Sequence, residues 1–252
     1  MPNLPIALQM YTVRDDAAKD FAGTIAEVAK IGFAGVELAG RGSLSVMELK
    51  SLLDNHHLQV CGSHVALDAL EKDVAKVIEE NLALGNPYVI VPYLGNEHRG
   101  SADAYKKVAA SLNKFGETVR AHGLTLGYHN HDFEFKTLDN GQTGMDILLG
   151  ETDPALVKAE VDTYWVLVAG LDPVAFIQKH SGRVPLLHIK DRDKTDGSFA
   201  EVGTGDLPLD ALVAAAPGVG AQWLIVEQDV CKRPPLEAVK ISYDNMKARG
   251  YA

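Results

Sequence analysis

Short apolar runs alternate with amphipathic segments along the whole chain. Eight runs have the length and composition of strands: PIALQMY (5–11), GVELA (35–39), QVCGSHV (59–65), YVIVPYL (88–94), LGYHNHDFEF (126–135), VKAEVDTYW (157–165), VPLLHIKD (184–191) and WLIVEQD (223–229). The fourth is continuous and β-branched, the pattern of a strand covered on both faces. Between the runs, apolar residues recur at helical spacing. Phe21, Ile25, Val28 and Ile31 mark the first such segment, closed by Gly32 as a C-cap. Ser45 and Glu48 have capping-box spacing, and Asp68 with Glu71 repeat it before Val74, Val77, Ile78 and Leu82. Ser101 or Asp103 opens a long helix, and a shorter one follows near 144–150. Asp172-Pro173 reads as an N-cap followed by proline at the first helical position, and Pro208 and Pro235 open the last two helices.

Strand starts at 5 and 223 bracket eight strand–helix units of about 31 residues each. Eight βα units in roughly 250 residues are the plan of a (β/α)8 TIM barrel, an α/β fold. An open doubly wound sheet is the alternative, but it normally carries fewer strands at this length. Nothing in the chain reads as a linker, low-complexity segment or sequence repeat, so residues 1–252 are taken as one domain.

In such a barrel the chemistry sits at the C-terminal strand ends. Side chains two apart on a strand share a face. The last four runs each bring an ionisable pair there: His129 and His131, Glu160 and Asp162, His188 and Lys190, Glu227 and Asp229. Gly127 is read as leaving room beneath the histidines. Burying so many charges is too costly unless they pair or hold a metal. One ligand per strand gives His129, Asp162, His188 and Glu227. Two imidazoles and two carboxylates suit Mn2+, Fe2+, Co2+ or Zn2+ better than Ca2+ or Mg2+. The competing reading is a metal-free ion-paired rim, with Lys190 and Arg192 neutralising the carboxylates. The other strand ends offer Gln9, Tyr11 and Arg14, then Glu37, His64 and Tyr93, with Glu97, His98 and Arg99 on a loop. Tyr11 and Trp165 are candidates to stack on a sugar ring. The glycine turn GTGD (203–206) is a weak sign of phosphate binding.

Charge and cysteine content narrow the partners. Lys and Arg number 24 against 34 Asp and Glu, a net charge of −10, which disfavours nucleic acid. Cys61 and Cys231 lie in apolar runs far apart, as buried thiols would in a reducing cytoplasm. MPNLPIALQM lacks the basic and apolar regions of a signal peptide, and no apolar run reaches the ~20 residues that span a bilayer. The expected partner is a small-molecule sugar or polyol, in the cytoplasm, without nucleic acid or membrane. A homo-oligomer is compatible with the sequence.

LQMYTVRDD (8–16), GVELAG (35–40), SHV (63–65), YHNHDFEF (128–135), DTYWV (162–166), HIKD (188–191), EVGTGD (201–206) and VEQD (226–229), taken in order, resemble the sugar phosphate isomerase/epimerase family of xylose isomerase-like TIM barrels. The resemblance implies one divalent metal, with Mn2+ leading and Zn2+, Co2+, Fe2+ or Mg2+ as alternatives, held by a Glu, Asp, His, Glu set. Asp162, His188 and Glu227 fall on three of those positions. At the fourth, many members have Glu-Asn-His where this chain has His129-Asn130-His131. His129 replaces the ligand, or Glu134 reaches in from the loop, or water completes the site.

The resemblance also implies carbon-acid chemistry: a metal-polarised carbonyl acidifies its neighbouring C–H, and a carboxylate removes the proton. The leading expectation is an isomerase or epimerase acting on a ketose, keto-sugar or related polyol. In it Glu227 is the base, His131 a second acid/base and Lys190 the stabiliser of the developing oxyanion. Tyr11, Glu37, His64, Tyr93, Glu160, Trp165 and Arg192 are expected to bind substrate. The alternative is a dehydratase or lyase on a keto-inositol (inosose) or 3-keto-glycoside at the same metal site, since a similar Tyr-His-x-His arrangement occurs in the inosose dehydratase branch. A three-metal abasic-site nuclease is disfavoured by Trp165 and the net charge. A binding protein that has lost catalysis is the last alternative.

Overall fold

A computed structural model describes residues 3–252 of the chain; Met1 and Pro2, at the start of the N-terminal stretch read above, lie outside the described residues. Eight parallel strands close a barrel in sequence order: β1 (Ile6–Gln9), β2 (Gly35–Leu38), β3 (Gln59–His64), β4 (Tyr88–Val91), β5 (Thr125–His129), β6 (Val157–Asp162), β7 (Leu186–Ile189) and β8 (Trp223–Val226). Closure comes from β8 returning to β1, with Ile6 opposite Leu224. Helices α1 (Arg14–Lys19), α2 (Phe21–Ile31), α3 (Val46–Asn55), α4 (Leu67–Leu84), α5 (Ala102–Ala121), α6 (Gly144–Glu151), α7 (Thr163–Val168), α8 (Pro173–Lys179), α9 (Leu209–Ala215) and α10 (Pro235–Ala248) connect them. The architecture is a single TIM barrel.

Inside the barrel, Ala7, Cys61, Tyr88, Ile90, Leu186, Trp223 and Ile225 form one buried apolar cluster. Two residues further along, the same strand faces turn polar: Gln9 after Ala7, His188 after Leu186, Glu227 after Ile225. The barrel is therefore plugged with hydrocarbon below and carries polar groups above it. Gly127 lies beneath His129, but the space it frees goes to the plug: a Cβ there would meet Ile90 Cδ1 at 2.5 Å.

One irregularity sets the height of a rim residue. Between β2 and β3 the register slips, with Val36 opposite Val60 but Glu37 opposite Gly62. The extra residue is a β-bulge. It lets both Cys61 and His64 face inward although three positions separate them. A side chain at Gly62 is excluded, because its Cβ would lie 2.4 Å from Glu37 Oε1.

Local signals mostly place the elements. Ser45 and Glu48 form the expected capping box, Ser101 rather than Asp103 caps α5, and Asp172 caps α8 ahead of Pro173. The Asp68/Glu71 cap is corrected. Helix α4 starts at Leu67 behind Ala66 with no side-chain cap, and the helical path breaks at Asp73, whose Oδ1 accepts the Lys76 N–H at 3.0 Å. The sixth run is also shorter than its apolar pattern suggests. Asp162 ends β6 because its Oδ1 accepts the N–H groups of Tyr164 and Trp165 and starts α7. Residues 131, 190, 227 and 229 lie beyond their ladders. Cys61 and Cys231 are both free, and no helix among the described residues is long and apolar enough to cross a membrane.

Candidate active site

The polar layer has two depths. The lower contains Glu37, at 0% exposure, and Glu160, at 1%. Glu37 Oε2 accepts from Gln9 Nε2 at 2.8 Å and lies 2.7 Å from His188 Nε2. Glu160 Oε2 is 2.9 Å from both His64 Nε2 and His129 Nδ1. The Gln9 orientation is fixed, since its Oε1 accepts the Tyr11 N–H at 2.9 Å.

The upper layer is the predicted ligand set. His129 Nε2 lies 3.5 Å from Asp162 Oδ2, and His188 Nδ1 lies 2.8 Å from Glu227 Oε2. Lys190 Nζ sits 2.8 Å from Asp162 Oδ2, 2.8 Å from Glu227 Oε2 and 2.9 Å from Asp229 Oδ1. Asn130 ties β5 to β6 beneath this ring: its Oδ1 accepts the Asp162 N–H at 3.1 Å and its Nδ2 donates to the Asp162 carbonyl at 3.3 Å.

Two groups of side chains place one ligand atom each within 4.8 Å of one another: His129, Asp162, His188 and Glu227, and, deeper, His64, His129, Glu160 and His188. The donors fit a divalent ion. Asp162 Oδ2 makes no hydrogen bond of good geometry, although Lys190 is close, and Glu37 Oε1 and Glu160 Oε1 are buried without any partner. Orphaned carboxylate oxygens of this kind require an explanation in a folded protein.

Electrostatics follow the contacts. Burial pulls the Lys190 ammonium down, but Asp162, Glu227 and Asp229 outweigh it and hold it well above its usual range. Burial pushes Glu227 up, and Lys190 and His188 more than reverse that, leaving it well below the usual carboxylate range. Asp229 is lifted by burial, against Lys190, to about 6. Burial and then Lys190 push His131 down to about 3, so its ring is neutral, and its Nδ1 is buried without a partner.

Above the ring lies a cavity of about 490 Å3, lined among others by Tyr11, His64, Tyr93, His129, His131 and Glu227. Tyr11 and Tyr93 stand half-exposed at its mouth, with Arg14 over the Tyr11 ring at 4.1 Å and Arg99 Nη2 donating to the Tyr93 hydroxyl at 3.0 Å. The remaining candidates do not line it. Glu37 and Glu160 are sealed below the histidines. Lys190 stands behind the carboxylates. Trp165 rides on α7 and packs on His131, Tyr164 and Phe199. Arg192 is held by both oxygens of Asp206, at 3.1 and 2.8 Å.

Two expectations are corrected. Glu134 does not reach the ring: its carboxylate accepts from the Tyr128 hydroxyl at 2.5 Å and the His131 N–H at 2.8 Å. GTGD is not a free phosphate cradle, because Gly203, Gly205 and Leu207 donate their N–H groups to the Asp191 carboxylate. Asp229, which the sequence offers only as the strand-end partner of Glu227 and to which no role is assigned there, lines the cavity. Its spacing from Glu227 marks it, and the one-ligand-per-strand rule discards it.

A family model described as "Xylose isomerase-like TIM barrel" matches residues 25–249. An inosose dehydratase of Clostridium beijerinckii is 25% identical over 270 residues, covering 92% of this chain and 88% of that protein. A sugar phosphate isomerase/epimerase structure from Parabacteroides distasonis superposes with a TM-score of 0.88 at 23% identity, covering 100% of this chain and 96% of the other. The IOLI protein, solved with a zinc atom bound, superposes with a TM-score of 0.77 at 16% identity, covering 97% of each chain.

Proposed function

Since this chain belongs to the xylose isomerase-like TIM barrel family, we propose that it is a metal-dependent lyase that removes water from a keto-cyclitol or keto-sugar. One observation carries the elimination outcome. Both carboxylates that line the cavity, Glu227 and Asp229, leave the end of β8, and the opposite wall offers His131 and Tyr93 without a carboxylate. An epimerase that passes a proton between carboxylates on the two faces of a carbon needs one on each wall. A syn elimination needs its base and its acid on one wall.

His129, Asp162, His188 and Glu227 would hold the ion, with Mn2+ the first to test and Zn2+, Co2+, Fe2+ or Mg2+ as alternatives. A divalent cation held there would supply Lewis-acid polarisation of a substrate carbonyl, which would acidify the adjacent C–H. Glu227, ionised beside Lys190, takes that proton. Asp229, whose carboxyl burial lifts to about 6, hands a proton to the departing hydroxyl, and water leaves as the C=C bond forms. Lys190 balances the negative charge of all three carboxylates from behind. His131, with Nδ1 free of partners, accepts a substrate hydroxyl, and Tyr11 and Tyr93 flank the ring. Relatives named inosose dehydratase support the same outcome.

The isomerase or epimerase reading uses the same base with His131 returning the proton; the similarity to a sugar phosphate isomerase/epimerase structure favours it. Metal-loaded protein incubated in D2O with a panel of keto-inositols and 3-keto-glycosides separates the two. Enone absorbance with release of water supports the lyase. Deuterated epimer without absorbance turns the assignment to the epimerase, and neither exchange nor absorbance on any substrate removes both.

A further inference from the structure

The two overlapping ligand groups share His129 and His188, and the nitrogens of each ring point in different directions. His129 sends Nδ1 down to Glu160 Oε2 at 2.9 Å and Nε2 up toward Asp162 Oδ2 at 3.5 Å. His188 sends Nε2 down to Glu37 Oε2 at 2.7 Å and Nδ1 up to Glu227 Oε2 at 2.8 Å. Each ring has one nitrogen facing a carboxylate of the upper ligand set and one facing a carboxylate outside it. An ion shared with Asp162 and Glu227 would displace the hydrogen from the upper nitrogen, and a neutral ring then keeps its single hydrogen on the lower nitrogen, donated to Glu160 or Glu37. The lower carboxylates are fixed in place. Gln9 donates to Glu37, His64 contacts Glu160, and the absent side chain of Gly62 leaves room for Glu37 Oε1.

Building on the metal reading above, we propose that Glu37 and Glu160 are positioning residues. They hold a hydrogen on His188 Nε2 and His129 Nδ1, and so commit a single ion to His129 Nε2, Asp162 Oδ2, His188 Nδ1 and Glu227. The deeper group, in which His64 and Glu160 would be direct ligands, is a hydrogen-bonded support. Carboxylates behind ligating histidines orient the rings and raise their basicity. Glu37 and Glu160 therefore act on the substrate only through the ion.

Ring-nitrogen NMR of zinc-loaded, 15N-histidine-labelled protein tests this without any substitution. The expected spectrum has His129 protonated at Nδ1 and bound at Nε2, and His188 the reverse. Zinc affinity by chelator competition is the second readout. Glu37→Gln and Glu160→Gln are each expected to weaken binding roughly 10- to 100-fold. Asp162→Asn is expected to weaken it most, and His64→Gln least. Reversed ring assignments, unchanged affinity in both glutamine variants, or a greater loss in His64→Gln than in Asp162→Asn would each overturn the proposal. Protein that takes up neither Zn2+, Co2+ nor Mn2+ defeats the metal reading itself, and the proposal with it.

Discussion

Strands β1 to β4 and strands β5 to β8 open onto the same cavity, but they send different side chains there. The first half supplies Gln9, Glu37 and His64, and its fourth strand gives the apolar Tyr88 and Ile90 to the interior before Pro92 and Tyr93. The second half supplies one sealed carboxylate, Glu160, and above it His129, His131, Asp162, His188, Lys190, Glu227 and Asp229. Glu37 in the first half is sealed below the rings, whereas Glu227 and Asp229 in the second reach the cavity. The difference is one of depth. A carboxylate beneath a histidine sets where the ring holds its hydrogen, and a carboxylate level with the cavity can exchange a proton with substrate.

If the second half carries the chemistry, Glu227→Gln lowers kcat by about 10²- to 10⁴-fold, the range for loss of a positioned proton acceptor. Steady-state kinetics on the substrate that shows elimination would check this. An equal kcat defect in Tyr11→Phe, at the mouth of the first half, would break the comparison.

Lys190 comes next. It is 1% exposed and touches three carboxylates. Removing one partner from a buried ion network typically costs about 3–5 kcal/mol. Lys190→Met should lose stability on that scale in urea unfolding, and saturating Zn2+ should restore part of it by mass action. Stability that stays at the parental value, with or without zinc, would mean the carboxylates do not depend on this cation.

The loop after β5 gives a pH signature. Burial, against the Tyr128 and His131 hydrogen bonds, lifts Glu134 from 4.5 to about 7. A carboxyl raised in the folded state contributes stability that is complete below the unfolded value and is lost as pH rises through the folded one. From near pH 5 to near pH 8 the parent should therefore lose stability relative to Glu134→Gln. The upper limit is about 3 kcal/mol, at roughly 1.4 kcal/mol per pKa unit. Parallel stability–pH curves for the two proteins would place the Glu134 proton elsewhere.

The smallest effect belongs to the first half. Tyr11→Ala or Tyr93→Ala should raise KM with kcat kept, by roughly 0.5–1.5 kcal/mol of aromatic contact. A fall in kcat with KM unchanged would place these rings at the transition state and erase the division between the halves.

Much of this was legible in the sequence. Strand periodicity and capping residues placed the eight units, and one ligand per strand end named His129, Asp162, His188 and Glu227, which the structure gathers within 4.8 Å. Depth was not legible. A period of two gives the face of a strand but not the height of a side chain above the plug, so Glu37 and Glu160 read like Glu227. Pairings between loops were equally hidden: Arg192 with Asp206, and Asp191 with the amides of the glycine turn. Asp162 misled in another way, because one of its oxygens starts a helix inside what reads as a continuing strand.

The bulge at Gly62 changes how β3 can be altered. In an unbroken strand the interior positions share one parity, so a residue chosen to pack the plug fixes which residues can reach the mouth. In β3 the parity switches between Cys61 and His64. Packing below and chemistry above are thereby separate choices on one strand, and the two can be exchanged independently. Deleting either Gly62 or Ser63 would remove the bulge and leave Cys61 and the imidazole two positions apart, on the same inward face of a regular strand.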